Sequence, residues 1–408
     1  MIRVFGITGT NGKTTAACML RNILEQKGPC GLVGTIEYII KDKTYIPENT
    51  TPGEKRLRQL FSEMDKEGVT DCVMEVSSHG LDQNRVGKVV FSGVGFTNLS
   101  HDHLDYHKDM ESYYQTKKKL FRDDSVSRCV TVDDSYGSRL YRELKAEGTG
   151  TGLKSCSIKM QDADFYGKII SSNIDGSVMD LYEGGVYICR LKVNMPGLHF
   201  ASDALLAASM ARQSGASAED IAKGIGTLLT VKGRMEMTGM QDDTLGIVDY
   251  AHTPDGLERL LETVSGICRG KLFCVFGCGG FRDHEKRREM GEIAGRYSDY
   301  CIITNDNPRG EPPENIAQAI EEGLHPTGCG YAIILDRAQA IKRAVSLADK
   351  WDIIVVAGKG HEVCQISGGR AVPFDDKKVL KEFLEKKYER TYNETDRSSD
   401  MRPCDFGE

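Results

Sequence analysis

Hydrophobic and polar positions follow strand-like and helix-like periods in alternation from the first residues onward. Residues 3–7 are a short apolar run; Ala16, Ala17, Leu20, Ile23 and Leu24 then recur at helical spacing until Gly28 and Pro29 stop them. Thr51 and Pro52 read as the start of a second helix with Leu57, Leu60, Phe61 and Met64 on one face. The stretches 71–76 and 93–98 are nearly continuous in apolar residues, as in strands covered on both faces of a parallel sheet. Between 164 and 193 the pattern changes to alternating segments cut by Ser172-Asn173, Asp175-Gly176 and Glu183-Gly184-Gly185, which predicts an antiparallel insertion in the same domain. A helix over 201–212 follows.

A second β/α series begins after a boundary expected near 230–233. Strands are predicted at 245–249, 271–276, 300–304, 332–335 and 352–357 with helices between them, a Rossmann-like open sheet. The chain thus reads as α/β: a central P-loop-type ATPase domain over 1–231, with a mostly parallel sheet and the antiparallel insertion, then a Rossmann-like C-terminal domain over 232–386. Residues 387–408, rich in Glu, Arg, Asp and Ser, are expected to be a mobile tail.

Composition narrows the class. Of 408 residues, 39% are hydrophobic and 28% charged, enough apolar material for two cores, so a disordered chain is excluded. Fifty-three basic against 60 acidic residues give a net charge of −7, which argues against a nucleic-acid binder. No apolar run is long enough to span a bilayer. The opening Met1-Ile2-Arg3-Val4-Phe5 lacks the pattern of a signal peptide, so a cytoplasmic protein is expected. Its 13 cysteines contain no Cys-x-x-Cys pair and read as free buried thiols.

The clearest chemistry lies between the first strand and the first helix. Gly6-Ile7-Thr8-Gly9-Thr10-Asn11-Gly12-Lys13-Thr14-Thr15 is a glycine-rich turn at a helix N-terminus, where backbone N–H groups can cradle phosphates. Lys13 would reach the outer phosphates and the Thr14 hydroxyl would bind Mg²⁺. Strict P-loop spacing fails by one residue, since Ile7 stands where the first glycine belongs. Glu75 ends a predicted strand and His103 follows another, so both fall at the edge carrying the loop. A carboxylate and an imidazole there suit Mg²⁺, although by spacing alone such groups are more often structural hydrogen-bonding ones. Lys117-Lys118-Lys119 alone reads as a solvated basic face.

Gly9-Thr10-Asn11-Gly12-Lys13-Thr14-Thr15 resembles the ATP loop of the Mur ligase family, the muramyl-peptide synthetases and folylpolyglutamate synthase. The motifs Glu75-Val76-Ser77-Ser78-His79-Gly80-Leu81, Asp102-His103-Leu104-Asp105-Tyr106-His107, Asp249-Tyr250-Ala251-His252-Thr253-Pro254, Asp306-Asn307-Pro308-Arg309 and Gly358-Lys359-Gly360-His361-Glu362 narrow the resemblance to the branch adding the third amino acid to UDP-N-acetylmuramoyl-dipeptide. The resemblance implies a monomeric, ATP-dependent amide ligase of peptidoglycan precursor synthesis. It also implies two Mg²⁺ ions, one near Thr14 and Glu75 and one near Glu75 and His103, and a Lys117 carbamylated by CO₂ that helps hold the second. Lys117 is then expected to be buried, with Lys118 and Lys119 outward.

Asn49, Thr50, Thr51, Ser77, Gln83 and Arg85 match family positions that contact the muramyl-dipeptide. Asp306, Asn307, Pro308 and Arg309, with Arg282, Gly358 and Glu362, match those that take meso-diaminopimelate, the guanidinium gripping its distal carboxylate. Arg234, Asp249 and His252 match nucleotide contacts of the C-terminal domain. Two departures accompany the resemblance. Only two residues stand before the first strand, where the family carries its UDP-gripping domain; the expectation is either a shortened chain that takes the UDP-linked muramyl-dipeptide or an acceptor whose nucleotide is unread or absent, as in a stand-alone amino-acid ligase. Where the family carries two asparagines near the adenine, this chain has Phe200 and Asp203, which could stack on the base and accept from its amino group. A nucleotide-binding scaffold without turnover is the reading from another class.

Overall fold

The computed structural model describes residues 2–148, 152–241 and 244–399, which divide into two compact units, Met1–Val231 and Lys232–Glu408. In the first, strands β1 (Arg3–Thr8), β2 (Cys30–Val33), β3 (Tyr38–Ile40), β4 (Lys43–Tyr45), β5 (Asp71–Glu75), β6 (Phe91–Phe96), β7 (Ser127–Thr131), β8 (Leu153–Ser157), β9 (Phe165–Asn173), β10 (Gly176–Glu183) and β11 (Val186–Val193) make one sheet. Their order is β11-β10-β9-β8-β7-β6-β1-β5-β2-β3-β4. The strands from β2 to β9 in that order, excluding β3 and β4, pair in parallel, and antiparallel hairpins extend both edges. The alternating stretch of sequence therefore continues the central sheet, joined to β8 through Cys156↔Phe165 and Ser157↔Tyr166.

β1 sits near the middle of this order, and every one of its residues after Arg3 is buried, which explains its unbroken apolar run. The helix Lys13–Leu24 follows directly and buries Ala16, Ala17, Leu20, Ile23 and Leu24, the positions its periodicity selects. It packs against the helix Leu198–Gln213, which is buried at nearly every position from Phe200 to Ala211. The second helix spans Glu54–Lys66 and buries Leu57, Leu60 and Met64. It starts after Gly53 rather than at Thr51-Pro52, because the Thr51 hydroxyl is engaged elsewhere, donating to the Glu75 carbonyl oxygen at 2.9 Å.

The second unit holds β12 (Glu236–Gln241), β13 (Thr244–Asp249), β14 (Leu272–Phe276), β15 (Tyr300–Ile303), β16 (Gly330–Ile333) and β17 (Ile353–Ala357) in the order β12-β13-β17-β14-β15-β16. All neighbours are parallel except β12, an antiparallel edge strand absent from the sequence reading. A hairpin of β18 (Cys364–Ser367) and β19 (Arg370–Pro373) follows β17. Buried Val248, Val275, Ile302, Ile341, Ile354, Val356, Leu380 and Leu384 form its core. The last two belong to the helix Asp376–Ser399, which runs on through 387–399, where a tail was expected; Glu, Lys and Arg are good helix formers. The rest of that expected tail, 400–408, lies outside the described residues. Among the described residues no helix is long and apolar enough to cross a membrane.

Candidate active site

Parallel pairing aligns the carboxyl ends of β1, β5 and β6, with Ile7 opposite both Glu75 and Gly95. The glycine-rich turn leaves the sheet at this edge. Gly9 approaches the chain after β6 so closely that a Cβ there would lie 1.8 Å from Thr97 Oγ1. Gly12 has φ +83° and caps the helix Lys13–Leu24. A Cβ on Gly12 would stand 2.2 Å from Asp203 Oδ1. Gly12→Ala should therefore both strain the backbone, by about 1–2 kcal/mol, and push the Asp203 carboxylate away. We expect the KM for ATP to rise about tenfold, as steady-state kinetics would show; an unchanged KM would contradict this account of the turn.

Several predicted side chains meet here. Lys13 Nζ donates to the Gly9 and Thr10 carbonyl oxygens at 2.9 and 2.8 Å, folding back over the turn. Thr10 Oγ1 lies 3.2 Å from the Tyr113 hydroxyl, and the Asn11 side chain donates to Ser100 Oγ at 3.3 Å. Thr14 Oγ1 donates to Glu75 Oε2 at 2.8 Å; Thr15 is buried in the helix. Thr35 also holds Glu75, through its backbone N–H to Oε1 at 2.7 Å and its hydroxyl to Oε2 at 2.9 Å. The Thr50 hydroxyl lies 3.0 Å from that of Thr35.

Lys117 is 1% exposed, whereas the Lys118 and Lys119 side chains are 20% and 36% exposed and pair with Glu143, Glu147 and Asp82. Lys117 Nζ donates to the Gly9 carbonyl oxygen at 2.7 Å and lies 4.6 Å from the centre of the Tyr113 ring. Burial, and secondarily the Lys13 charge, hold its amine well below the ordinary lysine range, against a smaller opposing pull from Asp102. His103 has φ +57°, with Nε2 3.3 Å from Asp102 Oδ2 and its ring edge-on to His79. Tyr113 connects the two groups: its ring stacks on His107 at 4.9 Å and lies 6.3 Å from His103.

The predicted acceptor residues border this edge. Tyr38 donates to the Asn49 carbonyl oxygen, Thr51 Oγ1 accepts from Ser77 N, and Ser77 caps the short helix Ser78–Asp82. Arg85 donates to the Thr51 carbonyl oxygen at 2.8 Å and to Gln83 Oε1. Thr35 and Tyr113 were missed in the sequence. Thr35 follows β2, whose four residues are too few to read as a strand beside β5; Tyr113 lies one helical turn before Lys117, a visible signal. Phe200 is buried, its ring 4.1 Å from that of His199, rather than presented as a stacking surface.

The second unit has its own carboxyl edge. Arg234 lies over the Tyr250 ring at 4.7 Å, and His252 Nδ1 is 2.8 Å from the Tyr250 carbonyl oxygen. The Asp249 carboxylate accepts from the Met235 and Ala251 backbone N–H groups, both at 2.6 Å, and Gly358 N donates to the Asp249 carbonyl oxygen at 3.0 Å. Asp306 is buried, which raises its carboxyl above the usual range. Asn307 Nδ2 donates to Glu362 Oε2 at 2.8 Å. Arg309, at φ +58° after Pro308, donates to the carbonyl oxygens of Gly280 and Asn307 at 3.0 and 3.3 Å, beside exposed Arg282.

The Mur ligase middle domain matches residues 7–211, and the Mur ligase glutamate ligase domain matches 233–360. The chain belongs to the Mur ligase family. Like other Mur ligases it is an ATP-dependent ligase that uses Mg²⁺ and acts on small molecules. It is 41% identical over 389 residues to a UDP-N-acetylmuramoyl-L-alanyl-D-glutamate–2,6-diaminopimelate ligase of Caldanaerobacter subterraneus, covering 94% of this chain and 78% of that Mur ligase. A similarly named ligase of Clostridium acetobutylicum is 40% identical over 388 residues, with the same two shares. A solved structure of a ligase of this name superposes with TM-score 0.65 at 30% identity, covering 95% of this chain and 79% of its own. Among the described residues no group of three or more His, Cys, Asp or Glu is arranged to hold a metal. The donors that fit Mg²⁺ in this Mur ligase are the Thr14 hydroxyl and the Glu75 carboxylate, hard oxygens 2.8 Å apart beside the phosphate turn.

Proposed function

We propose that this Mur ligase adds meso-diaminopimelate to a UDP-N-acetylmuramoyl-L-alanyl-D-glutamate acceptor, a step of peptidoglycan precursor synthesis. The observation that carries the reading is the convergence of Lys13, Thr14, Glu75 and a buried Lys117 on the 9–15 turn. The names of relatives at about 40% identity agree with it.

In this reading the acceptor's carboxylate attacks the γ-phosphorus of ATP, giving an acyl-phosphate and ADP. An amine of diaminopimelate then attacks the acyl carbon, and phosphate leaves from the tetrahedral intermediate. Lys13 would neutralise charge on the outer phosphates, and the backbone N–H groups of the turn would orient them. Two Mg²⁺ ions, when bound, supply charge neutralisation at the phosphates. Thr14 and Glu75 would hold the first; Glu75, His103 and a carbamylated Lys117 the second. Gly9, Thr10, Asn11, Gly12 and Thr15 would complete the phosphate turn of the first unit; in the second unit, Arg234, Asp249 and His252 are the residues we assign to nucleotide contact. Asn49, Thr50, Thr51, Ser77, Gln83 and Arg85 would take the acceptor. Arg282, Asp306, Asn307, Pro308, Arg309, Gly358 and Glu362 would take diaminopimelate.

Mass spectrometry of reactions containing ATP, diaminopimelate and the muramyl-dipeptide, with and without its uridine nucleotide, tests the assignment. The expected product is heavier than the UDP-linked acceptor by one diaminopimelate residue, with one ADP formed per product. ATP cleavage without incorporation of diaminopimelate into either acceptor would refute it.

A further inference from the structure

We propose that Lys359 is a positioning residue for the incoming amino acid: its ammonium fixes the Asn307 amide and the Glu362 carboxylate in one geometry, with one carboxylate oxygen left to accept from an amino group. The proposal rests on the assignment of 306–309, Gly358 and Glu362 to diaminopimelate.

The Lys359 side chain is completely buried. Nζ donates to Asn307 Oδ1 at 3.1 Å, to Glu362 Oε2 at 2.8 Å and to the Cys364 carbonyl oxygen at 2.8 Å. An ammonium has three N–H bonds, and all three are used. The acceptors come from three segments: the turn after β15, the turn after β17, and β18. Asn307 Oδ1 also accepts from Ile366 N at 2.9 Å, so the amide is held with its oxygen toward Lys359 and its nitrogen toward Glu362. Both hydrogen bonds to the Glu362 side chain fall on Oε2, and Oε1 receives none from the described residues.

Burial alone would raise the Glu362 carboxyl, but the Lys359 charge and the two hydrogen bonds outweigh it and hold the group below the usual range. The carboxylate is therefore kept charged and aimed, as an ammonium ligand requires. The sequence reading gave Lys359 no role. Its neighbours Gly358 and Glu362 drew attention by family position.

Lys359→Met keeps an unbranched side chain, one atom shorter, and removes every N–H. Steady-state kinetics, with thermal unfolding as the check on folding, should show the KM for diaminopimelate raised about tenfold, with kcat and the KM for ATP within about twofold of wild type. Glu362→Gln should raise the same KM, and the Lys359→Met, Glu362→Gln double variant should be no worse than Glu362→Gln alone, because Lys359 acts through that carboxylate. The double variant buries no lone charge, so it reports even where the single lysine variant does not fold. A Lys359→Met enzyme with an unchanged diaminopimelate KM, beside a Glu362→Gln enzyme in which it rises, would overturn this inference alone. Equal losses for ATP and diaminopimelate, or fully additive effects in the double variant, would also overturn it and leave Lys359 a packing residue. A Glu362→Gln enzyme with normal diaminopimelate kinetics would instead remove the assignment of this edge to the amino acid.

Discussion

Lys117→Ala should lower kcat by at least about a hundredfold, the scale of losing a preorganised charge-stabilising group. The buried amine sits 2.7 Å from the Gly9 carbonyl oxygen, inside the turn that would hold the phosphates. Burial and the Lys13 charge disfavour its ammonium form, so the neutral amine that CO₂ requires is present at a lower pH than for a solvent-exposed lysine. Converting that amine to a carbamate would place an anion where the lysine nitrogen stands, a hard oxygen donor that would help hold the second divalent ion. Alanine leaves a space where the carbamate would stand. A small carboxylate such as acetate should then restore part of the activity, with recovery rising with its concentration. Lys118→Ala is the control: its ion pairs with partly buried Glu143 and exposed Glu147 lie at the surface, where such a pair is worth about 0–1 kcal/mol, and its kcat should stay near wild type. A fully active Lys117→Ala enzyme would remove the carbamate from the mechanism.

The phosphate turn was legible in the sequence because local chemistry dictates it. Glycines at 9 and 12 answer to a close approach and a positive φ, and an apolar strand before them and an amphipathic helix after them fix where the turn stands. Strand ends such as Glu75 were legible for the same reason, since a parallel sheet gathers them at one edge. Long-range pairing was not. β2 and β3 have four and three residues; β2 exists because β5 offers an edge, and β3 because β2 then offers one, which no local pattern records. β12 likewise exists only as an antiparallel partner to β13.

Lys117 shows the middle case. Composition makes three adjacent lysines equivalent, and only helix phase separates them. Tyr113 and Tyr114, buried one turn earlier, and Leu120 and Phe121, buried after, put Lys117 on the inward face. Thr51 shows the opposite failure: a helix-start signal was present, but the side chain instead joins the Glu75 carbonyl oxygen to Ser77 N, a tertiary partnership that local pattern cannot see.

Arg309→Ala should raise the KM for diaminopimelate by about 10- to 100-fold, the loss of a charge-assisted pair, while the KM for ATP stays within about twofold. The side chain stands at the carboxyl edge of the second sheet, where ligands of open α/β sheets bind. One guanidinium nitrogen, Nη1, donates to the carbonyl oxygens of Gly280 and Asn307, which fixes the plane of the group and leaves the Nε–Nη2 fork to meet a carboxylate. The chain around it is held independently: Glu311 takes a bidentate pair from Arg287 at 2.7 and 2.8 Å and accepts from Phe281 N at 2.8 Å. Truncating Arg309 should therefore leave these turns in place, and the melting temperature should move little. Arg309→Lys separates charge from geometry. An ammonium keeps the charge but offers no planar fork, so this variant should bind diaminopimelate much more weakly than wild type, though better than Arg309→Ala. Diaminopimelate and lysine differ by the distal carboxylate, so wild type should favour diaminopimelate strongly and Arg309→Ala should lose most of that preference. Equal changes in the KM for ATP and for diaminopimelate would show that Arg309 supports the fold of this edge without reading the substrate.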